Sequence, residues 1–372
     1  MAEQPGFTHI VFLNLLIGVI LGIVFHRSDF CMAGMFRDMF LFKQTFMVRI
    51  IVLQVVVTMI LFLIAKDLRL IQLYPPPNLS FASSGTLIGG VVFGMGMVLA
   101  GGCVIGTLYK MGAGSIPSVI AFGGLIIGSG LYAELHPLWK HITEKTVISR
   151  AILLPQLPNG RFLLPAVLFT ASLLILRWVR LGMLSQRSYA EGYILHWKTA
   201  VIVSVLNLAV YISSETPLAV STGYAKMAAY IERLLMPGHY EALSFFKKAS
   251  FSVPHPAGNS MIAGGPGAQV DHIFITEVTL IAGVVLGAFI SAVSLKEFKW
   301  KICNFPPPRQ ALSVLSGGIL LALGSRMAGG CNVKFIMSGL PLLSIQALLF
   351  LAGISAGAWM GTHLLKQWII KK

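Results

Sequence analysis

Two short elements of the sequence join a glycine doublet to a cysteine in a pattern that could bind an anion. They are Gly101-Gly102-Cys103 and Gly329-Gly330-Cys331, separated by a constant offset of 228 residues (331 − 103). Glycine accepts the left-handed backbone angles that end a helix, so each doublet predicts a helix stop after an apolar run. If a short helix restarts there, Cys103 and Cys331 lie near helix N-termini, where free backbone N–H groups favour an anion.

A second interpretation treats the same elements as packing motifs. Small residues let helices in a membrane approach closely, and cysteine can serve as a small apolar filler. A single element of this kind favours packing. Two elements in register favour a functional site, because close packing does not require a cysteine at the same place twice.

A third cysteine, Cys31, ends a charged stretch within segment 26–34, which follows the first apolar run. The corresponding segment of the second half, 216–223, has no cysteine. We therefore expect the two halves to differ at the site, as a directional pathway would require. Arg27 is a candidate substrate-binding residue in this segment, and a cytoplasmic charge that only sets the topology is the alternative.

Three cations flank the glycine-cysteine elements: Lys110, Arg326 and Lys334. Charge at membrane depth is costly and usually functional, and near a pore mouth it would attract anions over about 8–10 Å. The alternative is snorkelling of long side chains to the interface. Glu215 is a candidate proton-coupling carboxylate, with an ordinary loop residue as the favoured reading. Cys303 has no counterpart in the first half and is read as incidental.

These residues must be positioned by a membrane fold, as the composition indicates. The chain is 56% hydrophobic and 11% charged, with a mean hydropathy of +0.81, whereas a soluble domain has roughly 25% charged residues. The net charge of +15 falls in short blocks between apolar runs, which indicates cytoplasmic loops and argues against nucleic-acid binding. The four cysteines have no CxxC spacing, and neither a metal site nor a cofactor is expected.

The apolar runs predict an all-α polytopic membrane protein with about nine transmembrane helices, short re-entrant helices and two pseudo-symmetric inverted halves. The predicted spans are 8–25, 46–65, 85–100, 114–132, 162–180, 198–213, 272–295, 311–326 and 342–365. The predicted divisions are a first membrane repeat (1–132), an external segment with a connector helix (133–197), and a second repeat (198–372) with an external loop at about 214–271. Short glycine-interrupted segments in matching places of two halves are typical of a transporter's binding site.

The loops also predict an orientation. Basic residues concentrate in 26–49, 177–198, 296–309 and the C-terminus, which strict alternation puts on one side. By the positive-inside rule that side is cytoplasmic, with the N-terminus outside. The first apolar run lacks a basic flank and a clear cleavage site, so no cleavable signal peptide is expected.

Three cysteine motifs resemble the YeeE/YedE family. They are Arg27 and Phe30-Cys31 to Gly34 with Phe36-Arg37-Asp38-Met39, Leu99-Ala100-Gly101-Gly102-Cys103 with Gly106 and Tyr109, and Arg326-Met327-Ala328-Gly329-Gly330-Cys331-Asn332. Residues 339–344 are also similar, and the resemblance is weak across 133–271.

The resemblance implies a bacterial inner-membrane protein that takes up thiosulfate. It also implies that Cys31, Cys103 and Cys331 pass the substrate along by transient S–H···S hydrogen bonds, without covalent capture. The leading hypothesis is thus a permease and not an enzyme. Its route is channel-like, ion-coupled or assisted by a separate protein, such as a cytoplasmic sulfur carrier.

Two alternatives remain open. One keeps the transport class but changes the substrate to a selenium compound or another sulfur species. The other is an enzyme that relays sulfane sulfur onto a cysteine, which needs a reactive nucleophile and a nearby base. No histidine is close in sequence to Cys103 or Cys331, and His26 near Cys31 belongs to a charge cluster.

Overall fold

The computed structural model is almost entirely helical. It describes residues 5–158, 160–185, 192–254, 261–298 and 306–367. The α-helices are α1 (Pro5–Ser28), α2 (Met32–Leu41), α3 (Phe46–Asp67), α4 (Ser84–Leu99), α5 (Val104–Gly112), α6 (Ile116–Lys145), α7 (Leu163–Arg180), α8 (His196–Ser214), α9 (Ser221–Leu235), α10 (Pro237–Ala242), α11 (Ser244–Lys247), α12 (Thr279–Ser294), α13 (Pro308–Ala328) and α14 (Ile345–Leu365).

Shorter elements complete the chain. Two π-helical turns lie at Phe274–Val278, directly before α12, and at Val333–Gly339. Two 3-10 turns lie at Leu154–Gln156 and Gly160–Phe162. Strands β1 (Ala82–Ser83) and β2 (Val147–Ser149) form one small antiparallel sheet, and β3 (Phe251–Pro254) and β4 (Met261–Gly264) form another.

Nine helical segments of the described chain are long and apolar enough to span a membrane, which confirms the predicted polytopic helical class. Each overlaps a predicted span. The largest difference is the fourth span, which was expected to end at 132 and continues as helix to Lys145. The added part of the helix contains the polar residues His136, Lys140, Thr143 and Glu144. The helix continues because this polar stretch lines a cavity, so it needs no apolar surface.

Glycines bring α4 into backbone contact with two neighbours, α13 and α14. A Cβ atom on Gly96 would lie 2.5 Å from the backbone nitrogen of Leu321 and 2.8 Å from the carbonyl oxygen of Gly317. On the same helix, Gly90 faces the backbone of α14 at Phe350 and Gly353. Such approaches are favourable in a membrane, where helix association depends on close packing and not on hydrophobic transfer.

Helix contacts occur in two matching sets. In the first, α4 packs on α14 and α1 packs on α12. In the second, α13 packs on α6 and α8 packs on α3. The offset of 228 residues relates α4 to α13 and α6 to α14. The contact of α4 with α14 in the first set therefore corresponds to the contact of α13 with α6 in the second.

A small layer of short elements covers one end of this bundle, and we refer to it as the capping layer. It consists of α10, α11 and the β3–β4 hairpin, which follow α9. The buried Lys226 of α9 fastens the layer to the bundle: its Nζ donates to the carbonyl oxygens of Gly267 and Gln269 and to the Asp271 carboxylate, at 2.8–2.9 Å. A buried ammonium with three acceptors is well compensated, so this clamp fixes the segment that leads into the Phe274–Val278 turn.

The α4–α13 contact gives a test of the packing. Gly96→Ala should destabilise the folded protein by about 1–3 kcal/mol, because the added methyl group meets backbone atoms that cannot move aside. Gly123→Ala on α6 is the matched control, since nothing lies within 4 Å of its added Cβ. Thermal unfolding in detergent measures both variants, and equal midpoints for the two would contradict the inferred helix contact.

Candidate functional site

The two glycine doublets end their helices as predicted. Gly101 and Gly329 have φ angles of +68° and +81°, in the left-handed region. A short helix follows each doublet, α5 in the first half and the π-helical turn at Val333–Gly339 in the second. Cys103 is the N-cap residue of α5, and its Sγ accepts a hydrogen bond from the Gly106 N–H at 3.3 Å. The expectation that both cysteines lie at the start of a short helix is confirmed.

All three cysteines converge in the interior of the bundle. The thiols of Cys31 and Cys103 lie within hydrogen-bonding reach of each other. Both sulfur atoms also face Gly106, whose missing side chain leaves room for them. Asn332, the neighbour of Cys331, contacts Cys103 through its side chain and donates to the sulfur of Met32 at 2.9 Å. The first-half thiols therefore adjoin the second-half element.

Cys331 has its own partner in the second half. Its thiol contacts the hydroxyl of Ser221, the first residue of α9. Ser221 contacts Cys331 in the second half, as Cys31 contacts Cys103 in the first. Ser221 is therefore the residue of segment 216–223 that occupies the place of Cys31. The Tyr224 ring, fully buried, neighbours both Cys331 and Cys103, and its hydroxyl donates to the Val104 carbonyl at 3.3 Å. Tyr224 therefore lies near both the Cys31–Cys103 thiol pair and the Cys331–Ser221 contact.

Two cavities approach the cysteines from opposite ends of α4. The cavity beside Ser83 and Thr86, at the start of α4, has a volume of about 460 Å³, and we refer to it as the outer cavity. The cavity beside Met97 and Val98, at the end of α4, has a volume of about 200 Å³ and is called the inner cavity. Cys31 lines the inner cavity. Cys103 and Cys331 are 0% exposed and line neither of the two.

Charged residues form the floor of the outer cavity. Arg326, Lys334 and Glu277 all line it, close to Cys331. Arg326 donates to the Thr222 hydroxyl at 3.3 Å and has a buried Nε without an acceptor. The side chain of Lys334 packs over Gly330, and its Nζ donates to the Gly329 carbonyl oxygen at 2.5 Å. The floor can therefore receive an anion.

The inner cavity has a related arrangement. Lys110 lines it and donates to the Gly101 carbonyl oxygen at 3.2 Å, so equivalent glycines in the two halves each accept a lysine. Tyr109 donates to the Asp29 carboxylate at 2.7 Å beside the Cys31–Cys103 pair. A cation thus stands at each end of the cysteine series.

Ten of the eleven candidate site residues are the three cysteines, residues adjacent to them or residues that line the two cavities, and Arg27 is the exception. Gly102 and Gly330 are buried next to their cysteines, and Gly101 and Gly329 line the inner and outer cavities. Arg27 instead donates to Ser291 and Ser294 of α12 at 3.3 and 3.0 Å. These contacts suit the alternative reading of Arg27 as a residue that helps fix the topology.

Two further sequence candidates lie elsewhere. Glu215 accepts hydrogen bonds from the backbone N–H groups of Gln72 and Leu73, as a loop residue does. Cys303 lies outside the described residues.

The sequence reasoning missed four residues of the site: Ser221, Tyr224, Glu277 and Asn332. Ser221 and Tyr224 carry no motif that separates them from packing residues. Asn332 had a signal as the last residue of the third family motif, and Glu277 had one as an acidic residue within a predicted span, where charge usually has a function.

A separate group could hold a metal ion within the described part of the chain. Glu134, Glu232 and His239 place their ligand atoms within 4.8 Å of one another. Both ring nitrogens of His239 already contact carboxylates, Nδ1 with Glu232 at 2.5 Å and Nε2 with Glu134 at 3.0 Å. The arrangement suits an ion-pair clamp between α6 and α9, away from the cysteines.

The fold and the site together define a polytopic helical membrane protein with buried thiols between two opposed cavities. The family described as Sulphur transport matches residues 27–360, and the chain belongs to this family. The resemblance to YeeE/YedE proteins is confirmed.

Named relatives extend this comparison. The "Thiosulfate transporter TsuA" of Spirochaeta thermophila is 28% identical over 363 residues, which cover 94% of this chain and 98% of that protein. The protein of the same name from Escherichia coli K12 is 26% identical over 367 residues, with 94% and 93% covered. The "Probable transporter YedE" of Escherichia coli K12 is 33% identical over 121 residues, 32% of this chain and 29% of that protein.

Gly106 offers a test of the thiol pair. In Gly106→Ala the added Cβ would lie 2.9 Å from the Cys31 sulfur and 3.3 Å from the Cys103 sulfur, so the thiols must separate. Overpacking of this kind costs about 1–3 kcal/mol, and we expect uptake of the sulfur substrate to fall by about tenfold or more. Uptake per folded molecule measures the effect, with Gly123→Ala again as control. Unchanged uptake in Gly106→Ala would contradict a role for the pair.

Proposed function

We propose that this protein takes up thiosulfate across the bacterial inner membrane and passes it along three cysteine thiols. The observation that carries the proposal is the series of buried thiols between two cavities that open at opposite ends of α4. Two relatives that align over nearly their whole length bear the name thiosulfate transporter, which supports the same substrate.

The chemistry of thiosulfate fits this site. It is a small dianion with a polarizable terminal sulfur, to which a neutral thiol can donate a weak hydrogen bond. Conduction requires several weak sites in succession, because one tight site would hold the substrate. Three thiols that each contribute little meet that requirement.

The proposed route begins in the outer cavity, where Arg326 and Lys334 attract the anion. It continues past Cys331 and Tyr224 to the Cys103–Cys31 pair and ends in the inner cavity beside Lys110. Tyr224 and Asn332 form the narrow section between the second-half and first-half thiols. Their buried side chains would have to move by a small rotation for the substrate to pass.

We further propose that the two halves are related by an inverted pseudo-twofold axis, with 1–132 and 198–372 as repeats around a connector at 133–197. The matching helix contacts support this. So does the antiparallel contact of α4 with α13, in which Gly89 faces Ala328 and Gly317 faces Ala100 at the same offset. A twofold axis perpendicular to two antiparallel helices produces this pairing.

In the proposed orientation, the inner cavity opens to the cytoplasm. The basic loop 26–49 supports this, because its residues Asp29, Arg37 and Gln44 line the inner cavity and positive loops remain cytoplasmic. The N-terminus would then be outside and the C-terminus inside. A cytoplasmic sulfur-carrier protein would meet the substrate at the inner cavity.

Cysteine replacement tests the relay. Cys103→Ala and Cys331→Ala should abolish uptake in cells that depend on thiosulfate for sulfur, because each removes a donor that the route cannot bypass. Cys303→Ala is the matched control and should transport normally. Wild-type uptake in either of the first two variants would refute the relay.

Two further measurements separate the alternatives. Competition between thiosulfate and a selenium compound in proteoliposomes tests the substrate, and we expect thiosulfate to be preferred. Mass spectrometry after exposure to thiosulfate should find unmodified cysteines. A persulfide on Cys103 or Cys331 would favour the sulfane-sulfur relay enzyme instead.

A further inference from the structure

We infer that Glu277 is a resident counter-anion of the outer cavity, and that it must take up a proton before a dianion can bind there. This inference rests on the proposed function and adds to it a coupling between thiosulfate binding and protonation.

Glu277 occupies a position suited to a bound anion. It is 8% exposed and lines the outer cavity. Its carboxylate accepts hydrogen bonds from the backbone N–H groups of Gly223, at 2.8 Å, and Thr222. These groups belong to the first turn of α9, a 15-residue helix whose positive end attracts negative charge. The carboxylate thus stands where an oxyanion of a substrate would find donors.

The surrounding cations are available to a substrate. Arg326 and Lys334 face Glu277 across the cavity floor. Within the described chain, neither forms an ion pair at 4 Å or less. The Nε of Arg326 is buried without an acceptor. A substrate anion would satisfy it.

Three other titratable groups lie close to Glu277, and the rest of the outer cavity adds His136, Lys140, Glu144 and Lys248. Lys226 is close to Glu277 but is neutralised by Asp271 at 2.9 Å. Cys331 adjoins it as a thiol. His272 lines a smaller cavity together with Glu277, and its ring contacts the Thr216 hydroxyl at 3.5 Å. His272 is therefore the group to be distinguished from Glu277 by experiment.

Charge balance decides what the floor can bind. Arg326 and Lys334 supply two positive charges, and ionised Glu277 leaves a net charge of one. A dianion then leaves an uncompensated negative charge at membrane depth, which is unfavourable. When Glu277 carries a proton, two cations match the two charges of thiosulfate. A monoanion is matched while Glu277 remains ionised.

The local backbone also sets Glu277 apart. It lies in the π-helical turn Phe274–Val278, a rare conformation that is frequent at functional sites. The Lys226–Asp271 clamp lies just before this turn and holds its start in place through the N–H of Phe274, which donates to Asp271 at 3.0 Å.

Calorimetry of the purified full chain in detergent tests the inference. Thiosulfate is titrated in buffers of different ionisation enthalpy, so that the proton uptake per bound anion is measured directly. Above the pH at which Glu277 ionises, the wild type should take up about one proton per bound thiosulfate, and its Kd should rise about tenfold for each further pH unit. Thiocyanate, a sulfur-containing monoanion, should bind without proton uptake.

Variants identify the proton acceptor. Glu277→Gln should bind thiosulfate without proton uptake and with a Kd independent of pH. Glu277→Asp should retain the uptake but shift the pH at which the Kd begins to rise, because the two carboxyl groups differ in pKa. If the glutamine variant does not fold, an unshifted transition in Glu277→Asp would overturn the assignment to Glu277. Glu215→Gln and His272→Gln should both behave as the wild type.

Several outcomes would overturn the inference: thiosulfate binding by the wild type without proton uptake and with a Kd independent of pH across the whole range, persistent uptake in Glu277→Gln, or its loss in His272→Gln. Failure of the proposed function gives a different result. If the wild type does not bind thiosulfate but takes up a proton when it binds another dianion, such as sulfate, thiosulfate is not the substrate and the role of Glu277 is supported.

Discussion

The structure depends on burying two helix breaks, where backbone N–H and C=O groups lose their helical partners, inside a membrane protein. Unpaired N–H and C=O groups cannot face lipid, so helix breaks at membrane depth must be enclosed by protein. Glycines along α4, α13 and α14 allow the helices to approach until their backbones touch. This close contact encloses the breaks at Gly101 and Gly329 and keeps the cysteines that follow them away from lipid.

Lysines complete the enclosure of both helix breaks. Lys110 donates to the Gly101 carbonyl oxygen, and Lys334 donates to the Gly329 carbonyl oxygen. Each bond satisfies an acceptor that the helix break leaves free, and each holds a positive charge at the edge of a cavity. The same interaction thus stabilises the break and makes the electrostatic potential of the cavity more positive.

The capping layer makes the cavities at the two ends of the bundle differ in their walls. Segments α10, α11 and β3–β4 add Phe245, Lys248 and Phe251 to the wall of the outer cavity. The inner cavity has no such layer among the described residues and is smaller. The asymmetry continues into the site, where Ser221 contacts Cys331 and Cys31 contacts Cys103.

The sequence by itself determined the membrane class, the positions of the nine spans and the paired helix stops. Apolar length and glycine conformation act locally, so they can be read without a fold. It also indicated Cys31, Cys103 and Cys331, through a repeat and a family resemblance. The predicted end of the fourth span at 132 was wrong, because α6 continues to Lys145 and its polar residues beyond 132 line the outer cavity.

The tertiary structure alone decided which groups meet. Glu277 reaches the start of α9 and faces Arg326 across 49 residues of chain (326 − 277), and Asn332 reaches Cys103 from the other half. Arg27, adjacent to the first cysteine in sequence, turns to α12 instead. Such contacts depend on helix rotation and crossing, which packing fixes over the whole bundle and which no local pattern encodes.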